Sequence, residues 1–173
     1  KIFTHSKLYN SNAYYMQCAC ALGISLYPGT MTKTFTGGCQ CGRVRYALTL
    51  ENRNAYLCHC RMCQRASGGV AAAFVNMRKE QRQWLSEPDW YASSPIAQRP
   101  FCSRCGTPLG FEYPDAERCD VTLGSLGDPD GFIPTSHFGA ESIHEAWLDT
   151  RALDRMRCDE YPSLVERWKK ADK

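Results

Sequence analysis

Apolar and polar side chains alternate from Val44 to Leu50: Val44, Tyr46, Leu48 and Leu50 fall on one face, with Arg43, Arg45 and Thr49 on the other. That period of two predicts a half-buried strand. The polar stretch Glu51 to Asn54 is a turn, and Ala55-Tyr56-Leu57 is a second strand that ends at Cys58. Arg61 to Ser67 predicts one or two helical turns, stopped by Gly68-Gly69. Val70 to Val75 predicts a buried strand of small residues. Lys79 to Trp90 is more polar and predicts a strand or loop anchored in the core by Trp84 and Trp90. Leu109 to Tyr113 and Cys119 to Leu123 flank the turn Pro114-Asp115-Ala116-Glu117 as a hairpin. Gly124 to Pro134, rich in Gly, Asp and Pro, is loop. Ser163-Leu164-Val165-Glu166 is a capping box that opens a short C-terminal helix, with Leu164 and Trp168 one turn apart. Many short strands with one or two helices predict a mainly β domain of antiparallel sheets.

The 173 residues suffice for one domain with its own core, and 43% hydrophobic content argues against disorder. Residues 1–30 differ from the rest: they hold no acidic side chain and no clear period. Met31 is expected to be the natural start, residues 1–30 an upstream extension, and 31–173 a single domain. Without Lys1 and Lys7 that domain is nearly neutral, and no basic run of five appears, so nucleic acid is not expected as a partner. No stretch approaches the ~20 apolar residues of a membrane span. A cytoplasmic protein is expected.

Eleven cysteines change the picture. Their odd number and close spacing favour reduced, metal-bound thiols over disulfides. Cys58-His59-Cys60-Arg61-Met62-Cys63 follows a strand, on which Cys58 and Cys60 face the same side; the next Cys-x-x-Cys step brings a third sulfur. Cys39-Gln40-Cys41 and Cys102-Ser103-Arg104-Cys105 supply a separate set of four. Two zinc ions per chain are therefore expected. Four ligands make a closed structural site, whereas three leave a position open for water or substrate. Cys18-Ala19-Cys20 imitates the other pairs and is expected to bind nothing structural.

Gly37-Gly38-Cys39-Gln40-Cys41-Gly42, Cys58-His59-Cys60-x-x-Cys63 with Ser67-Gly68, and Phe101-Cys102-x-x-Cys105-Gly106 together resemble the glutathione-dependent formaldehyde-activating enzyme family, which also includes centromere protein V. The likeness runs from about Thr34 to Trp168. It implies a β-tent fold, a structural zinc on Cys39, Cys41, Cys102 and Cys105, and an active-site zinc on Cys58, Cys60 and Cys63. It also implies addition of formaldehyde to glutathione, with small-molecule thiol and aldehyde as partners. Three thiolates around a divalent cation leave a net charge near −1, which suits a soft substrate thiolate better than a metal hydroxide. The expected function is thus a zinc-dependent carbon–sulfur lyase. The alternatives are a zinc hydrolase or lyase acting on another small electrophile, and a non-catalytic zinc module, to which the short Lys169-Lys170 tail gives little support.

Cys58, Cys60 and Cys63 would be closed into a structural site if His59 or His137 supplied a fourth ligand. His59 alternates away from its neighbouring thiols on a strand. His137 is the candidate ligand or proton carrier, or else a histidine satisfied by hydrogen bonds. Arg61, Gln64, Arg65 and Arg104 are candidate carboxylate binders or solvated surface residues. Ser67 is expected to end the helix, and Phe101, Phe111 and Trp147 to belong to the core more than to a pocket wall. Cys119 and Cys158 are ordinary thiols.

Overall fold

The computed structural model describes residues 32–171, so the expectations for residues 1–30, Met31, Cys18 and Cys20 lie outside the described residues. Ten strands form two sheets. β1 (Lys33–Gly38), β2 (Arg45–Leu50) and β5 (Arg82–Trp84) make a three-stranded sheet in the order β1-β2-β5. β3 (Asn54–Cys58), β4 (Ala72–Arg78), β6 (Asp89–Ser94), β7 (Ala97–Phe101), β8 (Gly110–Glu112), β9 (Arg118–Thr122) and β10 (Ile133–Phe138) make the larger one, in the order β10-β3-β4-β9-β8-β7-β6. α1 (Arg61–Ser67) follows β3, and α2 (Pro162–Ala171) lies near the C-terminus. The expected mainly β fold with a short C-terminal helix holds.

The alternation in β2 is realised: Tyr46 and Leu48 are fully buried, while Arg45 and Thr49 on either side of the pair are exposed. Their layer packs with Val75, Met77, Cys119 and Val121 to form the main core. Because successive strand residues point to opposite faces, Phe74 lies on the other side of β4 from Val75. There it joins Cys58, Cys63 and Ala72 in a second, smaller cluster, with Tyr56, Cys60 and Phe111 packed against it. The large sheet thus carries the main core on one face and the three-cysteine segment on the other.

Several expectations need correction. The small-residue strand begins at Ala72, two residues later than expected, because Ser67–Gly69 closes the helix first: Gly68, at φ 68°, donates to Gln64 O. Lys79 to Trp90 divides into a 3-10 turn, β5 and the start of β6. Trp84 packs edge-on to Tyr46, but Trp90 is 39% exposed and is no core anchor. Not every pair is antiparallel, since β10 runs parallel to β3. The C-terminal helix starts at Pro162, where a missing N–H costs nothing, so Ser163 lies inside it. None of its residues is buried, and Trp168 is 63% exposed. No helix among the described residues is long and apolar enough to cross a membrane.

Candidate functional site

Two turns assemble the four-cysteine cluster. The Cys39 amide donates to Val44 O at 3.0 Å, and the Cys102 amide donates to Thr107 O at 3.0 Å, so each loop folds back on itself. Gly106 adopts φ 76°, the left-handed region that a Cβ disfavours, and its amide donates to Cys102 O. The sulfurs of Cys39, Cys41, Cys102 and Cys105 all lie within 4.8 Å of one another. Cys39 Sγ is 3.5 Å from Cys41 Sγ, which is 3.7 Å from Cys102 Sγ. Disulfide sulfurs sit at about 2.05 Å. Sulfurs held tetrahedrally at about 2.3 Å from one ion would stand about 3.8 Å apart. The donor set therefore fits a metal ion. Val44 N and Arg43 Nε donate to Cys39 and Cys102 at 3.2 and 3.4 Å, and Asp89 accepts from Arg43 and from Ser103 N. The Thr107 hydroxyl, aided by backbone N–H groups, lowers the Cys105 thiol to about 5.

The other cluster grows from the end of β3. Cys58 points into the second face; Cys60 then caps α1, its sulfur accepting from Cys63 N at 3.4 Å. Cys58 and Cys60 sulfurs are 3.6 Å apart, and the three sulfurs lie within 4.8 Å of one another. This set also fits a metal ion, and among the described residues no fourth His, Cys, Asp or Glu donor joins it. The hydrogen bond from Cys58 lowers the Cys63 thiol to about 5, assisted by Arg99 and opposed by burial. Its partner Cys58 is pushed up.

His59 and His137 go elsewhere. His59 is wholly buried, with Nε2 at 2.9 Å from His137 Nδ1 and Nδ1 unpartnered. Burial, and then the neighbouring His137, lowers its pKa. His137 sits on β10 with an exposed side chain, outside both sulfur groups. Gln64 is tied within the protein: its amide donates to Val70 O and Ser142 O, each at 3.1 Å, and accepts from Arg61. Arg65 and Arg104 are exposed. Ser67 does end the helix, donating to Cys63 O at 2.9 Å. Cys119 is buried, with burial raising its thiol to about 11, and Cys158 is exposed.

Two cavities open onto the three-cysteine face, of about 170 Å³ and 330 Å³. Phe111 lines the first while also packing against the smaller core cluster, and Phe101 lines the second; Trp147 is 52% exposed. Both cavities reach Cys63, Phe74 and Arg99. Sequence reasoning did not single out Arg99 as a site residue. Its one sequence signal is an arginine two positions from Ala97, in the inward phase of β7.

The sequence profile of the glutathione-dependent formaldehyde-activating enzymes matches residues 34–142, which include both cysteine clusters. The chain belongs to this family. Within it, a curated relative from Schizosaccharomyces pombe, described as an uncharacterized lyase, is 32% identical over 79 residues. That match covers 46% of this chain and 58% of the relative. A crystal structure of a Rhodobacter sphaeroides protein is similar at 21% identity, covering 59% of this chain and 98% of that one with a TM-score of 0.47.

Proposed function

We propose that this family member is a zinc-dependent carbon–sulfur lyase that activates a thiol, glutathione or one like it, for reversible addition to formaldehyde or another small aldehyde. One observation carries the reading: three sulfurs, with no fourth protein donor among the described residues, face cavities instead of the main core. Cys58, Cys60 and Cys63 would hold one zinc, and Cys39, Cys41, Cys102 and Cys105 a second, structural one. Zinc held by Cys58, Cys60 and Cys63 would supply Lewis acidity that lowers the pKa of a substrate thiol.

The chain's own residues do the rest. Phe74 and Phe111 give the cavity an apolar wall that limits water around the reacting groups. α1 fixes Cys60 and Cys63 relative to each other through the capping contact. In the addition, the thiol sulfur bonds to the aldehyde carbon and the carbonyl π bond opens. The thiol proton ends on the new hydroxyl, and the reverse reaction breaks the same bond. His137, exposed next to buried His59, is a group through which that proton could exchange with solvent. Nine free thiols among the described cysteines suit a reducing compartment, the cytoplasm.

Turnover of formaldehyde with and without added thiols tests this. Thiol-dependent formation of a hydroxymethyl thioether, abolished by Cys60→Ser, is expected. Thiol-independent turnover of an electrophile would instead favour a zinc hydrolase or lyase of another class.

A further inference from the structure

Each sheet holds one buried arginine, Arg82 on β5 and Arg99 on β7, and the two are treated differently. Arg82, with 6% of its side chain exposed, pairs with Glu112 at 2.8 Å. Arg99 is 8% exposed and appears in none of the ion pairs with acidic side chains among the described residues. Among the described residues its side chain makes one hydrogen bond, from Nη2 to Cys63 Sγ at 3.4 Å, and its guanidinium lies 4.8 Å from the centre of the Phe111 ring. A guanidinium has five N–H donors; Nε and Nη1 of Arg82 are sealed in without a partner, whereas no nitrogen of Arg99 is, so the donors that Cys63 does not take reach open space. The two cavities show where the remaining donors can be met. Both include Arg99 in their lining, and among the described residues it is the only Lys, Arg, Asp or Glu in either.

We propose that Arg99 is a substrate-binding residue that holds a carboxylate. It thereby selects, among small thiols, those carrying an acid group two or three carbons from the sulfur. The choice of ligand follows from shape and distance. A planar guanidinium matches a carboxylate through two parallel hydrogen bonds, and the flat Phe111 ring keeps that plane in place. Arg99 touches Cys63, so a molecule anchored at Arg99 carries a group a few carbons away to the three-sulfur face. The larger cavity, at about 330 Å³, is only just within the size range of ligand pockets, so the molecule is small and its body apolar. Phe74 and Phe101 supply that apolar wall. The assignment rests on the thiol-activation reading for the identity of the sulfur, but not for the carboxylate, and narrows the thiol from glutathione to a smaller acid.

The test is equilibrium binding by calorimetry, on zinc-containing full-length protein, of 3-mercaptopropanoate, its methyl ester and butanoate. Wild type should bind the mercapto acid at least about tenfold more tightly than the ester. Arg99→Met, with its circular dichroism and zinc content unchanged, should bind the acid no better than the ester while its affinity for the ester stays the same. If Arg99 served only to balance the charge of the thiolates, acid and ester would bind wild type alike. That result overturns the proposal, as does failure of wild type to bind either acid, or persistence of the acid preference in Arg99→Met. Should Arg99→Met not fold, the wild-type ratio of acid to ester decides the matter alone. Butanoate binding as tightly as the mercapto acid, in an Arg99-dependent way, would support the anchor while contradicting thiol activation. Thiol-dependent turnover without acid preference would do the reverse.

Discussion

Around Cys39, Cys41, Cys102 and Cys105, four sulfurs face one another inside a frame of backbone and side-chain donors, on the side of the main core. Around Cys58, Cys60 and Cys63, three sulfurs meet on the opposite face of the large sheet, where two cavities and Arg99 stand in place of a fourth sulfur. The two clusters use the same residue and similar spacing, so the ligand chemistry does not distinguish them. Their surroundings do. A cluster that joins β1 and β7 through turns 61 positions apart ties two sheets together. A cluster built within one strand end and one helix ties nothing distant, and its donors remain available to a ligand.

The largest way to break this contrast is at the first cluster. Structural zinc contributes roughly 10–16 kcal/mol in small domains, comparable to the ~5–15 kcal/mol net stability of a whole domain. Cys102→Ser should therefore leave the chain without cooperative thermal unfolding and without metal at either site, as read by circular dichroism and zinc analysis. Gly139→Ala acts on the second cluster alone. Gly139 has φ 68°, and a Cβ there would stand 2.6 Å from Cys60 N, so the β10–α1 contact must shift. A cost of about 1–3 kcal/mol is expected. Zinc should be lost from the three-cysteine site only, seen as a lower metal content with the main thermal transition retained.

A smaller effect sharpens the view of the pocket-side face. Asp120 is buried, its carboxylate accepts from Asn76 at 2.9 Å, and burial raises its pKa above the usual carboxylate range. Because the folded value is the higher one, Asp120 favours the folded state while protonated. That contribution is complete below the ordinary value of about 3.9 and is lost as pH rises through the raised folded value. Asp120→Asn removes the ionisation and keeps an acceptor for Asn76. Its stability relative to wild type should therefore increase with pH across that interval, by about 1.4 kcal/mol for each unit of elevation, as measured by urea unfolding.

What was legible in the chain divides along the same line. The cysteine groups and the β2 alternation could be read directly, because metal-ligand spacing and a period of two are local properties. Cys60 as a helix cap was close to legible from Arg61 to Ser67. Arg99 was not, since an arginine in an inward strand position looks the same whether it meets a glutamate, as Arg82 does, or a cavity. That depends on which strand lies alongside and what covers it. The parallel pairing of β10 was hidden for a similar reason: all six of its residues are exposed, so no buried face sets a pattern. The C-terminal capping box marked a real helix but misplaced its start, and Leu164 with Trp168 suggested a packing face that the structure leaves uncovered.

The most direct test of the two-cluster account is zinc per chain, measured on protein purified without chelator, for wild type and Cys60→Ser. Serine can still cap α1, so the variant should keep its circular dichroism spectrum. The account predicts a ratio near two that falls to near one, with the fold intact. A ratio near one in both proteins, or loss of the fold in Cys60→Ser, would contradict it.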